Sequence, residues 1–324
     1  MRRIFPLLLI LLLLCGCGGN RDAAAPEDAD RLVIFTARSA AVYDDAVREF
    51  ERRTGIWVEV HPADGALPLL EQIAAGQRCD LLLGVTPDCL SACGELFAPY
   101  APEAAADIPG AYRDSEDRWT PFSLLPVVLI YNDQLVQRNV PDSWSSLTSS
   151  AWRGRIACPD PTVSATGCTA LEAMTQVLDG EAEQVLADFV RCVGDVLPTA
   201  EDVVTAVADG RCYVGVTTED LAMQAAASGL SVTVIYPREG SVVQPDCAAI
   251  IADCAHEDNA RAFIDFLLSG EVQERLTRQY RRTVFTPLGD ASLPHALAYD
   301  PYAAGAHQAE TLDIWSSLTA EETP

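Results

Sequence analysis

The sequence predicts an α/β protein of two lobes, on three observations. The chain has 324 residues, 49% of them hydrophobic. That is longer than one ordinary core accommodates and apolar enough to fill two. From Leu32 onward, short apolar runs that read as strands alternate with amphipathic stretches that read as helices, the pattern of a mainly parallel sheet. The loops after these strands carry Thr, Ser, Arg and Gly, and an open α/β sheet binds its ligands at the C-terminal ends of its strands.

The N-terminus is an export signal. Arg2 and Arg3 precede an apolar run from Ile4 to Leu14, and those eleven residues are too few to span a bilayer but suit a secretory signal peptide. Leu14-Cys15-Gly16-Cys17 resembles the bacterial lipobox, with small Gly16 before the acceptor. The expectation is a signal peptide over 1–16, lipid on Cys17 and a polar, Ala-rich tether to residue 30. This anchors the chain to the outer face of the cell membrane.

Beyond the tether, Leu32–Phe35 reads as a buried strand and Thr36–Ser39 as the loop leaving its C-terminal end. Tyr43, Ala46, Val47 and Phe50 share one face of a helix that Gly55 stops. Strand Ile56–Val60, a helix over Leu67–Ala75 and strand Asp80–Leu83 follow, and Gly84-Val85-Thr86-Pro87 leaves the third strand. Ala98–Trp119 is Pro-rich and irregular; Val127–Tyr131 is again a strand. Later come helices over Ala182–Arg191 and Val203–Ala208, strand Cys212–Val216, a helix over Leu221–Ala227 and strands Val232–Tyr236 and Ala248–Ile251. The helix Asn259–Leu268 puts Ala262, Phe263, Phe266 and Leu267 on one face, and Arg278–Arg282 is a basic cluster.

The stretch Gly154–Met174, GRIACPDPTVSATGCTALEAM, carries the chemistry. A strand over Arg155–Cys158 meets Pro159-Asp160-Pro161, then Thr162, Ser164, Thr166 and Gly167, then a helix. Helix starts leave N–H groups unpaired and carry partial positive charge, so this junction can bind an anionic group. Ser164 or Thr166 can equally cap the helix, and both readings stay open here. Ser39 and Thr86 occupy the same kind of position after the first and third strands. Glu219 and Asp220 can bind an ammonium or hydroxyls, or cap the helix at Leu221.

Net charge is −25 and all 22 basic residues are arginine, which excludes nucleic acid as a partner. Nine cysteines follow Cys17, an odd number, so at least one stays unpaired in a monomer. Without CxxC pairs or Cys/His spacing they read as small buried hydrophobes, with disulfides allowed by export, and no metal site is expected. GxSxG, HExxH and P-loop patterns do not occur, and His61, His256, His295 and His307 lie away from the cleft loops. No enzyme and no cofactor is expected.

Taken in order, the motifs resemble the extracellular solute-binding proteins of ABC importers, of the type II periplasmic-binding-protein fold, in the branch that includes ferric-ion binders. They are a strand then T-A-R-S, E-F-E-R-R-T-G-I, V-V-L-I-Y-N, W-R-G-R-I-A-C-P-D-P-T-V-S-A-T-G, Y-V-G-V-T-T-E-D, V-I-Y-P-R-E-G-S-V and F-I-D-F-L-L-S-G-E-V-Q, spread over Leu32–Pro287. The resemblance implies two α/β lobes joined by strands crossing near Leu124–Tyr131 and Val243–Ile251. Lobe one is then residues 31–124 with 245–324, and lobe two is 125–244. It implies a ligand held by Arg38, Ser39, Thr86, Ser164, Thr166, Thr217, Thr218 and Glu219. Ferric binders use adjacent tyrosines where this chain has Thr217 and Thr218, so a ferric ion is not the expected ligand. The expectation is a monomer that passes a small organic anion or zwitterion, phosphonate- or sugar-phosphate-like, to a membrane permease and its ATPase. A sensor's binding subunit and a secreted hydrolase are the alternatives.

Overall fold

A computed structural model describes residues 28–63, 65–286, 296–298 and 300–321. The expected signal peptide, Cys17 and most of the expected tether lie outside the described residues.

Strand β1 (Arg31–Thr36) is buried from Leu32 on. Helix α1 (Ala40–Thr54) buries Tyr43, Ala46, Val47 and Phe50, and Gly55 ends it in the left-handed conformation, φ 77°, as its sequence predicts. β2 (Trp57–Pro62), α2 (Ala66–Ala74), β3 (Leu81–Val85), the short α3 (Pro87–Ser91) and β4 (Phe97–Ala98) follow. The irregular stretch after them is built of 3-10 turns at Glu103–Asp107 and Gly110–Tyr112.

β5 (Thr120–Tyr131) is longer than the sequence suggests, because Pro121, Ser123 and Pro126 mask a strand that is buried along nearly its whole length. Beyond it lie β6 (Ile156–Pro159), α4 (Ala165–Val177), α5 (Ala182–Val190), β7 (Val193–Leu197) and α6 (Ala200–Ala208). β8 (Val214–Thr218), α7 (Glu219–Ala227), β9 (Thr233–Ile235) and β10 (Val243–Ile251) come next. Helices α8 (Glu257–Leu267), α9 (Gly270–Arg278) and α10 (Pro301–Glu321) complete the described chain.

The strands run in the order β2-β1-β3-β10-β5-β8-β6-β7, with β4 on β10 and β9 on β5. The first three are parallel, as are β7, β6 and β8. Two long antiparallel strands join these halves. β5 pairs through Thr120–Pro126 with β10 and through Val127–Tyr131 with β8; β10 continues onto β3. These are the crossing strands of a type II periplasmic-binding-protein fold. β10 is irregular between Asp246 and Cys247, and a bulge in a strand re-aims the side chains beside it.

Each half of the sheet is covered on both faces. Phe50, Phe263 and Leu124 sit in a core on one face of the first half, with Phe35, Leu90 and Trp119 on the other. The second half packs Trp144, Leu171 and Phe189 on one face and Val203, Val207 and Ala222 on the other. Helix α10, unforeseen in the sequence, touches both halves. Tyr302 meets Trp119 at 5.9 Å between ring centres and Trp315 meets Phe189 at 6.3 Å. The cysteines from Cys79 to Cys254 are buried or half-buried; burial pushes Cys79 and Cys168 up to about 12.

Candidate functional site

The ends of β1, β3, β6 and β8 converge beside the two crossing strands. At the end of β1 the Thr36 hydroxyl accepts the Arg38 N–H at 3.1 Å, bending the chain out of the sheet. Arg38 then lies over β3, where Gly84 makes room for it. A Cβ at Gly84 would come within 2.3 Å of the Arg38 Cγ, and its φ of +80° favours glycine in any case. Ser39 is exposed and precedes α1 in extended conformation, but its side chain makes no cap bond.

The loop before α4 is shaped by Asp160. Its Oδ1 accepts from the Thr162 N–H at 2.9 Å and the Thr162 hydroxyl at 2.7 Å, an Asx turn. The Ser164 N–H donates to the Asp160 carbonyl at 2.8 Å. Ser164 therefore stands at the start of α4, half-buried, also without a side-chain cap bond. Thr166 is buried in the first turn. From β10, Gln244 Nε2 donates to the Thr169 hydroxyl and, at 3.4 Å, to the Ala165 carbonyl, tying α4 to a crossing strand. The rims meet where Gly65, before α2, lies against Val163, before α4; a Cβ on Gly65 would stand 2.9 Å from the Val163 carbonyl oxygen.

Behind these helix starts is a buried ionic network that the sequence reading missed. Asp246 is 0% exposed. Arg38 donates to it through Nε, at 3.1 Å to each oxygen, and through Nη2 at 2.9 Å. Arg281 donates to the same carboxylate, to the Ser123 hydroxyl at 2.8 and 3.1 Å, and to Asp220 at 3.5 Å. Arg282 donates to Glu219 at 2.6 and 2.7 Å, and the Tyr236 hydroxyl donates to Glu219 as well. Burial works against the Arg38 charge, but the attraction and hydrogen bonds of Asp246, with help from Asp220, outweigh it and raise its pKa. Arg38 keeps its charge, is held on one edge by Asp246, and is one-quarter exposed.

Several predicted contacts are placed differently from the expectation. The Thr217 hydroxyl donates to the Ala200 carbonyl at 3.0 Å, with no exposed surface. Thr218 donates to Asp220 at 2.5 Å. Thr86 is buried and directs its hydroxyl to the Cys89 sulfur at 3.7 Å. Glu219 is committed to Arg282 and Tyr236 rather than open to a ligand. These hydroxyls and this carboxylate serve the protein interior, where an unpaired polar group costs more than a paired one gains. Arg38, Ser39 and Ser164 remain as groups with capacity to spare. The only sequence sign of the ionic network was the Arg278–Arg282 cluster, which did not say which acids it meets.

Comparison with known proteins agrees with this architecture. Residues 94–304, more than half of the chain, match the family described as bacterial extracellular solute-binding protein. The probable ABC transporter periplasmic-binding protein y4fP of Sinorhizobium fredii is 26% identical over 291 residues, covering 86% of this chain and 79% of that protein. Among solved structures, AfuA of Actinobacillus pleuropneumoniae with exogenous fructose-6-phosphate bound superposes with a TM-score of 0.79 at 20% identity, covering 90% of this chain and 98% of that one. The apo ferric ion-binding protein A of Pasteurella haemolytica superposes with a TM-score of 0.78 at 15% identity, over 91% of this chain and 99% of that one. At those identities the likeness establishes the fold. The family is one of extracellular proteins that bind solutes, and y4fP is described as a probable ABC transporter component. With its crossing strands and its family match over residues 94–304, this chain belongs to the bacterial extracellular solute-binding proteins.

Proposed function

We propose that this protein is the substrate-binding lipoprotein of an ABC importer and captures a small organic anion of the phosphonate or sugar-phosphate class. Its lobes are residues 31–124 with 245–324 and residues 125–244, and α10 lies across both. The observation that carries the reading is that one crossing strand ties down both Arg38, through Asp246, and the start of α4, through Gln244, while the Ser39 and Ser164 side chains at the starts of α1 and α4 make no cap bonds. Helix starts favour negative charge, and a guanidinium binds phosphate oxygens in matching geometry. Thr166 adds a third hydroxyl. A zwitterion was also expected, with Glu219 facing its cation. Because Glu219 is held by Arg282 and Tyr236, the reading rests on the anionic end. AfuA, whose structure holds fructose-6-phosphate, supports that class.

Mass spectrometry of ligand retained by protein from its native host should find a compound with a phosphoryl or phosphonyl group. Calorimetry should then show Ser39→Ala, Ser164→Ala and Thr166→Ala each about tenfold weaker or more. A hydrogen bond to a charged group is worth ~1.5–3 kcal/mol, and ~1.4 kcal/mol is a factor of ten. Unchanged affinity in both Ser164→Ala and Thr166→Ala would take the start of α4 out of the site. A ferric titration in the same series should give no tyrosinate absorption band, and its appearance with tight binding would reverse the choice of ligand.

The anchor has its own test. Cys17→Ala should release the protein from the membrane fraction or stall its processing. A variant that stays membrane-bound with an unchanged acylated N-terminal peptide would refute lipidation at Cys17.

A further inference from the structure

We infer that Arg281, which is 3% exposed and reaches no cleft surface, is a positioning residue that keeps Arg38 available to an anion. The inference rests on the anion-binding reading above and adds to it the residue that tunes the receptor.

A carboxylate beside a single arginine closes a one-to-one pair, in which the fork of the guanidinium is taken and its charge is largely cancelled. Asp246 takes one fork of Arg38 in this way but serves a second cation as well. Arg38 occupies it from one side through Nε and Nη2, and Arg281 occupies Oδ2 from the other. One carboxylate is therefore shared by two cations. It fixes the direction of Arg38 without absorbing the whole of its charge.

Arg281 is itself pinned from three directions. Ser123 on β5 accepts from Nε at 3.1 Å and from Nη2 at 2.8 Å, Asp246 on β10 accepts from Nη2, and Asp220 on α7 accepts from Nη1 at 3.5 Å. Both crossing strands and the helix after β8 thus set where Arg281 sits. Asp246 stands at the irregularity of β10, so the strand's own geometry aims the carboxylate between the two guanidiniums. In a low-dielectric interior such sharing is strong enough to matter at the cleft.

The test compares wild type with Arg281→Gln/Asp220→Asn and with Arg281→Lys. The double variant removes one positive and one negative charge together, so the buried charge stays balanced and loss of the fold is not the expected outcome. Two readouts are used. The first, free of ligand, is the Nε–H NMR signal of Arg38 and its exchange with solvent. The second is calorimetric titration with fructose-6-phosphate and with inorganic phosphate.

In the double variant Asp246 should serve Arg38 alone. Its Nε–H signal should move downfield and exchange at least tenfold more slowly, and affinity for a bound anion should fall tenfold or more. Arg281→Lys, which restores the cation, should return both toward wild type. A double variant that folds with the Arg38 signal unchanged would overturn the inference, as would equal changes in the lysine variant. If wild type binds neither anion, the ligand reading fails by itself, while the Arg38 signal still decides the role of Arg281.

Discussion

Asp246→Ala is expected to destabilise the protein by about 3–5 kcal/mol, the range for stripping one partner from a buried ion pair. The carboxylate is 0% exposed and serves two guanidiniums, Arg38 and Arg281. Without it, two like charges face each other, and Arg281, 3% exposed, has little water to turn to. Arg281 keeps Ser123 and a 3.5 Å contact with Asp220; Arg38 has lost the only carboxylate that it touches among the described residues. Denaturant unfolding with the slope held in common would measure the effect. A loss under ~1 kcal/mol would mean that water reaches the network and that it is not a buried one. The drop should shrink at high salt less than an exposed pair's would, because buried charges are poorly screened.

The second large effect concerns pH. Glu172 on α4 is pushed up to about 8, first by burial and then by the Asp88 carboxylate. Asp88 is itself 2% exposed and leaves Oδ1 without a partner. In the folded protein Glu172 thus releases its proton far above the pH at which an unfolded chain would. The contribution to stability is fully present below the unfolded value, near pH 4, and is lost as pH rises through about 8. Glu172→Gln keeps the neutral shape and removes the titration. Its stability should exceed that of wild type by on the order of 2–4 kcal/mol at pH 9, since each pKa unit is worth ~1.4 kcal/mol. The two should converge near pH 5. A melting series from pH 5 to 9 in which both proteins follow one curve would show that Glu172 is solvated and not responsible.

Much of the architecture was legible in the chain because it is written locally. The face of Tyr43, Ala46, Val47 and Phe50 reads as a helix at any stage, and Gly55 ends it as its φ of 77° requires. The places of Ser39 and Ser164 at helix starts follow from the strand–loop–helix order alone. The crossing strands came from the family resemblance and not from local pattern: it implies them near Leu124–Tyr131 and Val243–Ile251, and they lie at Thr120–Tyr131 and Val243–Ile251. Helix α10 was not foreseen. Its apolar residues pack on both halves at once, Trp315 on Phe189 and Tyr302 on Trp119, and so do not trace one clean stripe.

The site divides along the same line. A hydroxyl at a helix start depends on its neighbours in the chain, so Ser39 and Ser164 could be placed from sequence. Whether a charged or polar side chain is free or taken depends on partners that only the folded chain brings near. Asp246 meets Arg38 across 208 positions and Arg281 across 35; Glu219 meets Arg282 across 63. Thr217 looks in sequence like any ligand-facing threonine after a strand, yet it spends its hydroxyl on Ala200. Order along the chain set the strands and the helix starts. Tertiary structure alone decided which charges cancel, because ion pairing follows distance in space, and in the interior each unpaired charge must find a partner wherever the chain has brought one.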